Sequence, residues 1–181
     1  MAGALHLPRP MYDVVIVGGG PAGLSAGLVL GRCRRRVLLC DSGTPRNAAS
    51  RHLHGYLTRD HTPPLELLRL GRDELHRYGV EMRRGTVTGV APRGGAFDVV
   101  VDRRDRVAAS TVLLATGVRD ELPPVPGLDA CYGISVHHCP YCDGWEVRDR
   151  AIAVLGLGAA ATALALSLRT WSERVVVCAN G

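Results

Sequence analysis

The sequence predicts an α/β protein in which apolar strands alternate with helices, interrupted by an antiparallel β-meander and followed by the start of a second strand–helix–strand unit. Three observations carry that expectation. A run apolar but for Asp13, Tyr12–Val17, leads into Gly18-Gly19-Gly20-Pro21-Ala22-Gly23. The same order, apolar run then glycine turn, recurs at Ala151–Leu155 and Gly156-Leu157-Gly158. Between them, short β-rich runs are punctuated by Gly94-Gly95 and by Arg103–Arg106, as in hairpin-linked strands.

In order along the chain, Tyr12–Val17 reads as a parallel strand buried on both faces. Gly18, Gly20 and Gly23 fit G-x-G-x-x-G. The first glycine permits a tight turn, the second lets backbone approach a pyrophosphate, and the third lets the helix pack on the strand. Pro21 opens the helix where its missing N–H costs little, with Ala22 beside it. The run Arg32–Arg36 is a solvated helix end, well placed against the C-terminal dipole. Arg36–Cys40 is the next strand and ends in Asp41, about twenty residues on, where an acid would meet a ribose. The whole is a Rossmann-like dinucleotide site. In the loop that follows, Asp41–Asn47, Arg46 is a further cofactor-binding candidate.

Arg51–Thr62 reads as irregular polar surface carrying His52, His54 and His61, which could instead line a cofactor pocket. A helix runs from Pro63-Pro64 to about Tyr78, with Leu65, Leu68 and Leu75 on its apolar face, and Gly79 stops it. Val80–Val90, Phe97–Val101 and Val107–Thr111 form the antiparallel meander. Val112–Gly117 returns to a buried strand whose exit, Ala115-Thr116-Gly117, is small enough for close approach to a dinucleotide. The proline-rich Leu122–Gly127 marks a boundary. The expected layout is therefore a tail at 1–11, a nucleotide-binding domain at 12–121 and a second domain at 122–181. The last holds a strand at Ala151–Leu155, a helix from Ala159 to about Thr170 and a strand at Arg174–Cys178.

Composition excludes several classes. The net charge of +5 comes from 22 basic residues, all arginine, with no stripe of arginine interleaved with aromatics, so nucleic acid is not an expected partner. The uncharged runs Val14–Leu30 and Ala151–Leu168 approach a membrane span in length, but a glycine turn after a short β-rich segment breaks each, so no membrane association is expected. Residues 1–10 have no apolar core and no export signal is visible. Six cysteines in such a chain favour a reducing, cytoplasmic compartment in which a dithiol is catalytic or binds metal.

The candidate is Cys139-Pro140-Tyr141-Cys142, followed by Asp143. A Cys-x-x-Cys pair can close a small disulfide ring and open it again, and a nearby positive charge or helix N-terminus favours its thiolate. His137 and His138 flank Cys139 closely enough to act as base or electrostatic partner, and Asp143 could exchange a proton as the sulfurs change state. Cys139, Cys142, Asp143 and His138 are the expected catalytic set. A zinc site of Cys131, His138, Cys139 and Cys142 is the competing reading, weakened by the lack of a second close cysteine pair, and no metal ligands are assigned. A buried structural pair is another. Cys33, Cys40 and Cys178 lie on apolar elements and are expected to be small core residues.

The ordered set of Gly18–Gly23, Ala115-Thr116-Gly117, Cys139–Gly144 and the glycine turn at Gly156 resembles the bacterial-type thioredoxin reductases and related FAD-dependent disulfide oxidoreductases, from about Tyr12 onward. The resemblance implies FAD in the first site, with Gly18, Gly20 and Gly23 at the pyrophosphate, Asp41 at the adenosine ribose, and Thr116 and Gly117 against the cofactor. It implies NADPH, or NADH, near Gly156, Gly158 and Ala161. Cys142 would face the flavin, Cys139 would attack the external disulfide or dithiol, and Asp143 would be the acid/base. The implied partners are a thioredoxin-like protein or a small dithiol or disulfide, with a homodimer as the assembly. The family pattern continues into a final FAD-binding segment that has no counterpart here, so an incomplete or inactive nucleotide-binding remnant is one expectation. The wording Cys-Pro-Tyr-Cys and Gly-Trp-Glu also resembles dithiol oxidases that pass electrons to oxygen, whereas Asp143 keeps the reductase-like residue.

Overall fold

A computed structural model describes residues 11–179. They divide into two compact units. The first holds the described residues up to Ala48 together with Pro64–Glu121, and the second holds Ala49–Pro63 together with the residues from Leu122 on.

In the first unit, β1 (Tyr12–Val17) leads through the glycine turn to α1 (Pro21–Arg32) and β2 (Val37–Asp41). The sequence then supplies α2 (Pro64–His76), β3 (Glu81–Arg84), β4 (Val87–Arg93), β5 (Ala96–Val101) and β6 (Asp105–Leu114). These strands make one sheet of order β3-β2-β1-β6-β5-β4, parallel from β3 to β6 and antiparallel from β6 to β4. One face buries Val14, Ile16, Val37 and Leu39 against Leu24 of α1 and Leu68 and Leu75 of α2. Val15, Leu38 and Cys40 join Val99, Val101, Val107 and Ala109 in a second cluster. Burying both faces explains why β1 and β2 read as apolar runs rather than as alternating strands.

Several expectations are corrected. Val80–Val90 is two strands rather than one, because the chain breaks at Gly85-Thr86. There the Gly85 amide donates to the Asp41 carbonyl (2.9 Å) and the Thr86 amide to Asp102 Oδ1 (2.8 Å). Glu81–Arg84 consequently pairs parallel with β2, and only β4 belongs to the meander. Val107–Thr111 and Val112–Leu114 are conversely one ten-residue strand, β6, antiparallel to β5 and parallel to β1. The turn expected at Arg103–Arg106 falls at 102–104, where Asp102 and Arg103 adopt positive φ. On α2, Leu68 and Leu75 are seven residues apart and buried, whereas Leu65 points to solvent at 58% exposure. Exposed residues Arg32–Arg36 do form the solvated end of α1 and the turn after it.

The second unit contains the short helices α3 (Leu128–Cys131) and α4 (Pro140–Asp143), then β7 (Ile152–Leu155), α5 (Gly158–Leu168) and β8 (Val175–Cys178). β7 and β8 are parallel, with Val154, Ala161 and Leu168 as the core between sheet and helix. Ala49–Pro63, itself closed by a Leu53–Thr62 bridge, groups with this unit through a close approach of Ala49 to Gly133 and of His54 Nδ1 to Glu146 Oε1 (3.6 Å). Cys40 is buried as expected, and burial pushes its thiol up to about 11. Cys33 and Cys178 are exposed, contrary to expectation, because each stands at the last residue or just beyond an element, where the core has ended. Among the described residues no helix is long and apolar enough to cross a membrane.

At the edge of the large sheet the Tyr12 hydroxyl donates to Glu81 Oε2. That bond, with help from Arg83, holds the Glu81 carboxyl below its usual value against an opposing contribution from burial. A carboxyl whose folded value is depressed adds stability above its unfolded value, near 4.5, and loses it as pH falls through the folded one. Tyr12→Phe is therefore expected to lower the urea-unfolding free energy by about 1 kcal/mol at pH 7, a bond to a charge discounted for partial exposure. The gap between variant and parent should narrow as pH falls below 4.5; a gap that stays constant to pH 3 would contradict the assignment.

Candidate functional site

The glycine turn of the first unit is built from contacts that leave no room for a side chain. Gly18 has φ +110°, and a Cβ there would lie 2.2 Å from the Ala115 carbonyl oxygen. A Cβ on Gly23 would lie 1.9 Å from the Gly18 carbonyl oxygen. Gly20 is different: a Cβ there would meet nothing within 4 Å. It is the N-cap of α1, Pro21 follows in the first turn, and among the described residues no side chain caps the helix. The first amides of α1, at Ala22 and Gly23, thus begin a helix beside an open approach to the Gly20 backbone, which is the cradle an anionic diphosphate needs.

Three strand ends frame this cradle. The Gly18 amide donates to the Cys40 carbonyl (2.8 Å), and the Ala115 amide donates to the Val17 carbonyl (2.8 Å). Ala115-Thr116-Gly117 is therefore held beside Gly18, and Gly117 turns the chain with φ +65°. Asp41 closes the third side: a Cβ on Gly19 would fall 2.7 Å from its Cβ and Cγ. Its Oδ1 accepts from the Gly43 amide (3.2 Å) and its Oδ2 from Arg72 Nη2 (3.2 Å). Gly18, Gly20, Pro21, Ala22, Gly23, Asp41, Thr116 and Gly117 are thus brought together. Arg46 donates its Nε and Nη2 to the two carboxylate oxygens of Asp120 at 2.8 and 2.6 Å.

In the second unit Cys139 and Cys142 are joined by a disulfide with Cα atoms 5.3 Å apart. Pro140 starts α4 immediately after Cys139, which is its N-cap, and this single turn brings the two sulfurs to one side. Gly144 allows the turn to seat on Trp171, since a Cβ there would lie 2.4 Å from the Pro140 carbonyl and 2.7 Å from the indole. Asp143 Oδ1 lies 3.3 Å from His137 Nδ1, both side chains being about one-fifth exposed. His138 instead shares a 2.9 Å hydrogen bond between its Nδ1 and the Tyr132 hydroxyl, with the two rings stacked. Among the described residues no three of His, Cys, Asp and Glu are placed to hold a metal ion.

The sequence did not distinguish which of two adjacent histidines would meet Asp143. It also carried no signal for Tyr132, Arg72 or Asp120, whose pairings are made by the fold. The histidines of residues 49–63 form a cluster, with His52 and His61 stacked at 3.9 Å between ring centroids and His54 5.5 Å from His61. Partial desolvation and the neighbouring His61, His54 and Arg51 hold His52 below its ordinary value. After β7, Gly156 approaches Ala161 of α5, and Gly158 opens the helix at φ +64° with open space at its Cβ position.

The model of the family described as pyridine nucleotide-disulphide oxidoreductase matches residues 12–180. The probable thioredoxin reductase of Arthroderma benhamiae is 38% identical over 181 residues, covering 96% of this chain and 45% of that protein. The crystal structure of HlmI superposes with a TM-score of 0.89 at 46% identity, covering 92% of this chain and 54% of that one. The putative thioredoxin reductase TrxB from Bacillus anthracis gives 0.89 at 37% identity over 93% of this chain and 58% of that one. The chain spans about half the length of the curated relatives it matches. The steric contrast within the first turn is directly measurable. Gly23→Ala is expected to cost roughly 1–3 kcal/mol of unfolding free energy through overpacking, and Gly20→Ala about 1 kcal/mol or less, the difference between cap residues. Equal losses in urea titrations would refute the contrast.

Proposed function

The chain belongs to the pyridine nucleotide-disulphide oxidoreductase family, and on that premise we propose that it is a thioredoxin reductase-like thiol–disulfide oxidoreductase working through Cys139 and Cys142. The family is one of flavin-dependent oxidoreductases with FAD and NAD(P)H as cofactors. The observation that carries the reading is the Cys139–Cys142 disulfide, set in a one-turn helix beside an acid and two histidines.

The residues of the first turn fit FAD by their own geometry. Gly20 leaves room for a diphosphate to reach the backbone, the amides of Ala22 and Gly23 would receive it, and Asp41 would accept from a ribose hydroxyl. Thr116 and Gly117 would lie along the same cofactor, and Arg46 is a further candidate beyond them. Gly156, Gly158 and Ala161 would take the nicotinamide nucleotide. Bound there, the two cofactors would supply a two-electron relay between NAD(P)H and the disulfide.

The rest is done by this chain's sulfurs and acids. Cys139, as thiolate, attacks an external disulfide, forming one S–S bond and releasing the external thiolate. Cys142 then attacks Cys139, closes the ring and releases the second external sulfur. Asp143 gives and takes the proton as Cys142 alternates between thiol and disulfide, and the Tyr132 hydrogen bond fixes the ring of His138 for exchange at its other nitrogen. The partner is a thioredoxin-like protein or a small disulfide in a reducing compartment such as the cytoplasm, and the working assembly is a homodimer. The curated relatives named thioredoxin reductase support this choice of substrate class.

The test is an anaerobic absorbance titration of the protein supplied with FAD. NADPH is expected to bleach the flavin band. Cys139→Ser and Cys142→Ser should each abolish disulfide turnover, and Asp143→Asn should lower it by roughly 10²–10⁴-fold. A band bleached only by dithiols, with peroxide formed in air, would assign the chain to dithiol oxidation instead. Absence of any flavin band in excess FAD would sink the reading.

A further inference from the structure

We infer that His137 is the positioning residue of the dithiol: it holds Asp143 in place as a charge partner, and so sets the proton affinity of the adjacent cysteine sulfurs. The inference rests on the functional reading above for its purpose, and on geometry for its substance. His137 and Asp143 bracket the Cys139–Cys142 ring, one two residues before it and the other one residue after it. The single turn of α4 folds the two ends back on each other, so that Nδ1 of the histidine stands 3.3 Å from Oδ1 of the acid. Both side chains are largely withdrawn from water, at 20% and 22% exposure, so screening of the pair is weaker than at an exposed site.

Three other charged or titratable groups of the segment are engaged elsewhere. His138 bonds Tyr132, Glu146 lies 3.6 Å from His54, and Arg148 stacks on Trp145 at 4.1 Å. His54 also lies 3.7 Å from Asp60. His137 is the imidazole paired with Asp143 in this segment.

The chemistry gives the pair its task. Two electrons break the S–S bond, and the two sulfurs leave as one thiol and one thiolate with one proton taken up, or as two thiols with two. The electrons come from the nicotinamide nucleotide of the proposed reaction. A carboxylate alone beside Cys142 would oppose a thiolate through like charge. Whenever His137 carries a proton, its charge on that carboxylate cancels the opposition, so the thiolate needed for exchange persists.

The experiment measures the pH dependence of iodoacetamide alkylation of the reduced dithiol, read by mass spectrometry on Cys139 and Cys142, in the full chain. His137→Gln is expected to raise the alkylation midpoint by about one pH unit, the lower end of a close charge partner's effect. In an Asp143→Asn background the same substitution should move it by less than about a third as much, because coupled residues are not additive. His137→Lys, which returns a cation, should recover at least half of the shift. Equal shifts in both backgrounds, no shift in either, or no recovery with lysine would each overturn the inference. Should the glutamine variant not fold, His137→Asn replaces it in the same cycle. Alkylation needs no flavin, so a coupled shift without NADPH-dependent bleaching would leave this inference standing while the functional reading fell.

Discussion

The parallel pairing of β1 with β6 is the constraint from which the nucleotide turn follows. It sets Val17 against Leu114, so both strands end at the same level and the next residues must pass each other at backbone distance. Only glycine satisfies position 18, where the turn needs both a positive φ and the absence of a Cβ against Ala115. The pairing of β1 with β2 repeats the demand on the other side, bringing Asp41 against Gly19. The cradle is thus a consequence of strand ends held in register by a sheet buried on both faces, and its precision derives from that burial.

The cysteines illustrate how environment assigns chemistry to a residue type. Cys40 sits in the core of the large sheet, and burial makes its thiolate costly, so it behaves as a small apolar side chain. Cys139 and Cys142 lie in a one-turn helix, partly open to solvent, with a carboxylate–imidazole pair next to them. Desolvation suppresses charge at the first position, whereas the second position pairs its sulfurs with each other in a disulfide. A small apolar core residue and a disulfide-forming pair thus come from one kind of side chain.

Most of the architecture was legible because it rests on local rules. The apolar runs, the glycines, the Gly94-Gly95 turn and the Cys-x-x-Cys spacing each carry their own signal. What escaped depended on long-range pairing. Nothing near Gly85 announces that the preceding four residues pair with β2 and the following seven with β5. Likewise nothing between Thr111 and Val112 breaks, or fails to break, a strand. Leu65 reads as apolar face until packing selects the Leu68–Leu75 stripe. At the site, composition showed two histidines beside the dithiol, and only the fold of α4 showed that His137 meets the acid while His138 turns to Tyr132. Arg46 was legible as a basic loop residue, but its bidentate partner Asp120 lies 74 residues away in sequence.

The double allegiance of β6 reaches further. One strand supplies the parallel neighbour of β1 on one side and the antiparallel neighbour of β5 on the other. The β4–β5 hairpin therefore has no seam of its own along which it could detach from the parallel half of the sheet. It hangs from a strand that the parallel half of the sheet already requires. Its tip at Gly94-Gly95 has open space around it and can change length without touching β6, whereas a slip of β5 on β6 would disturb the strand whose exit holds Ala115 against Gly18.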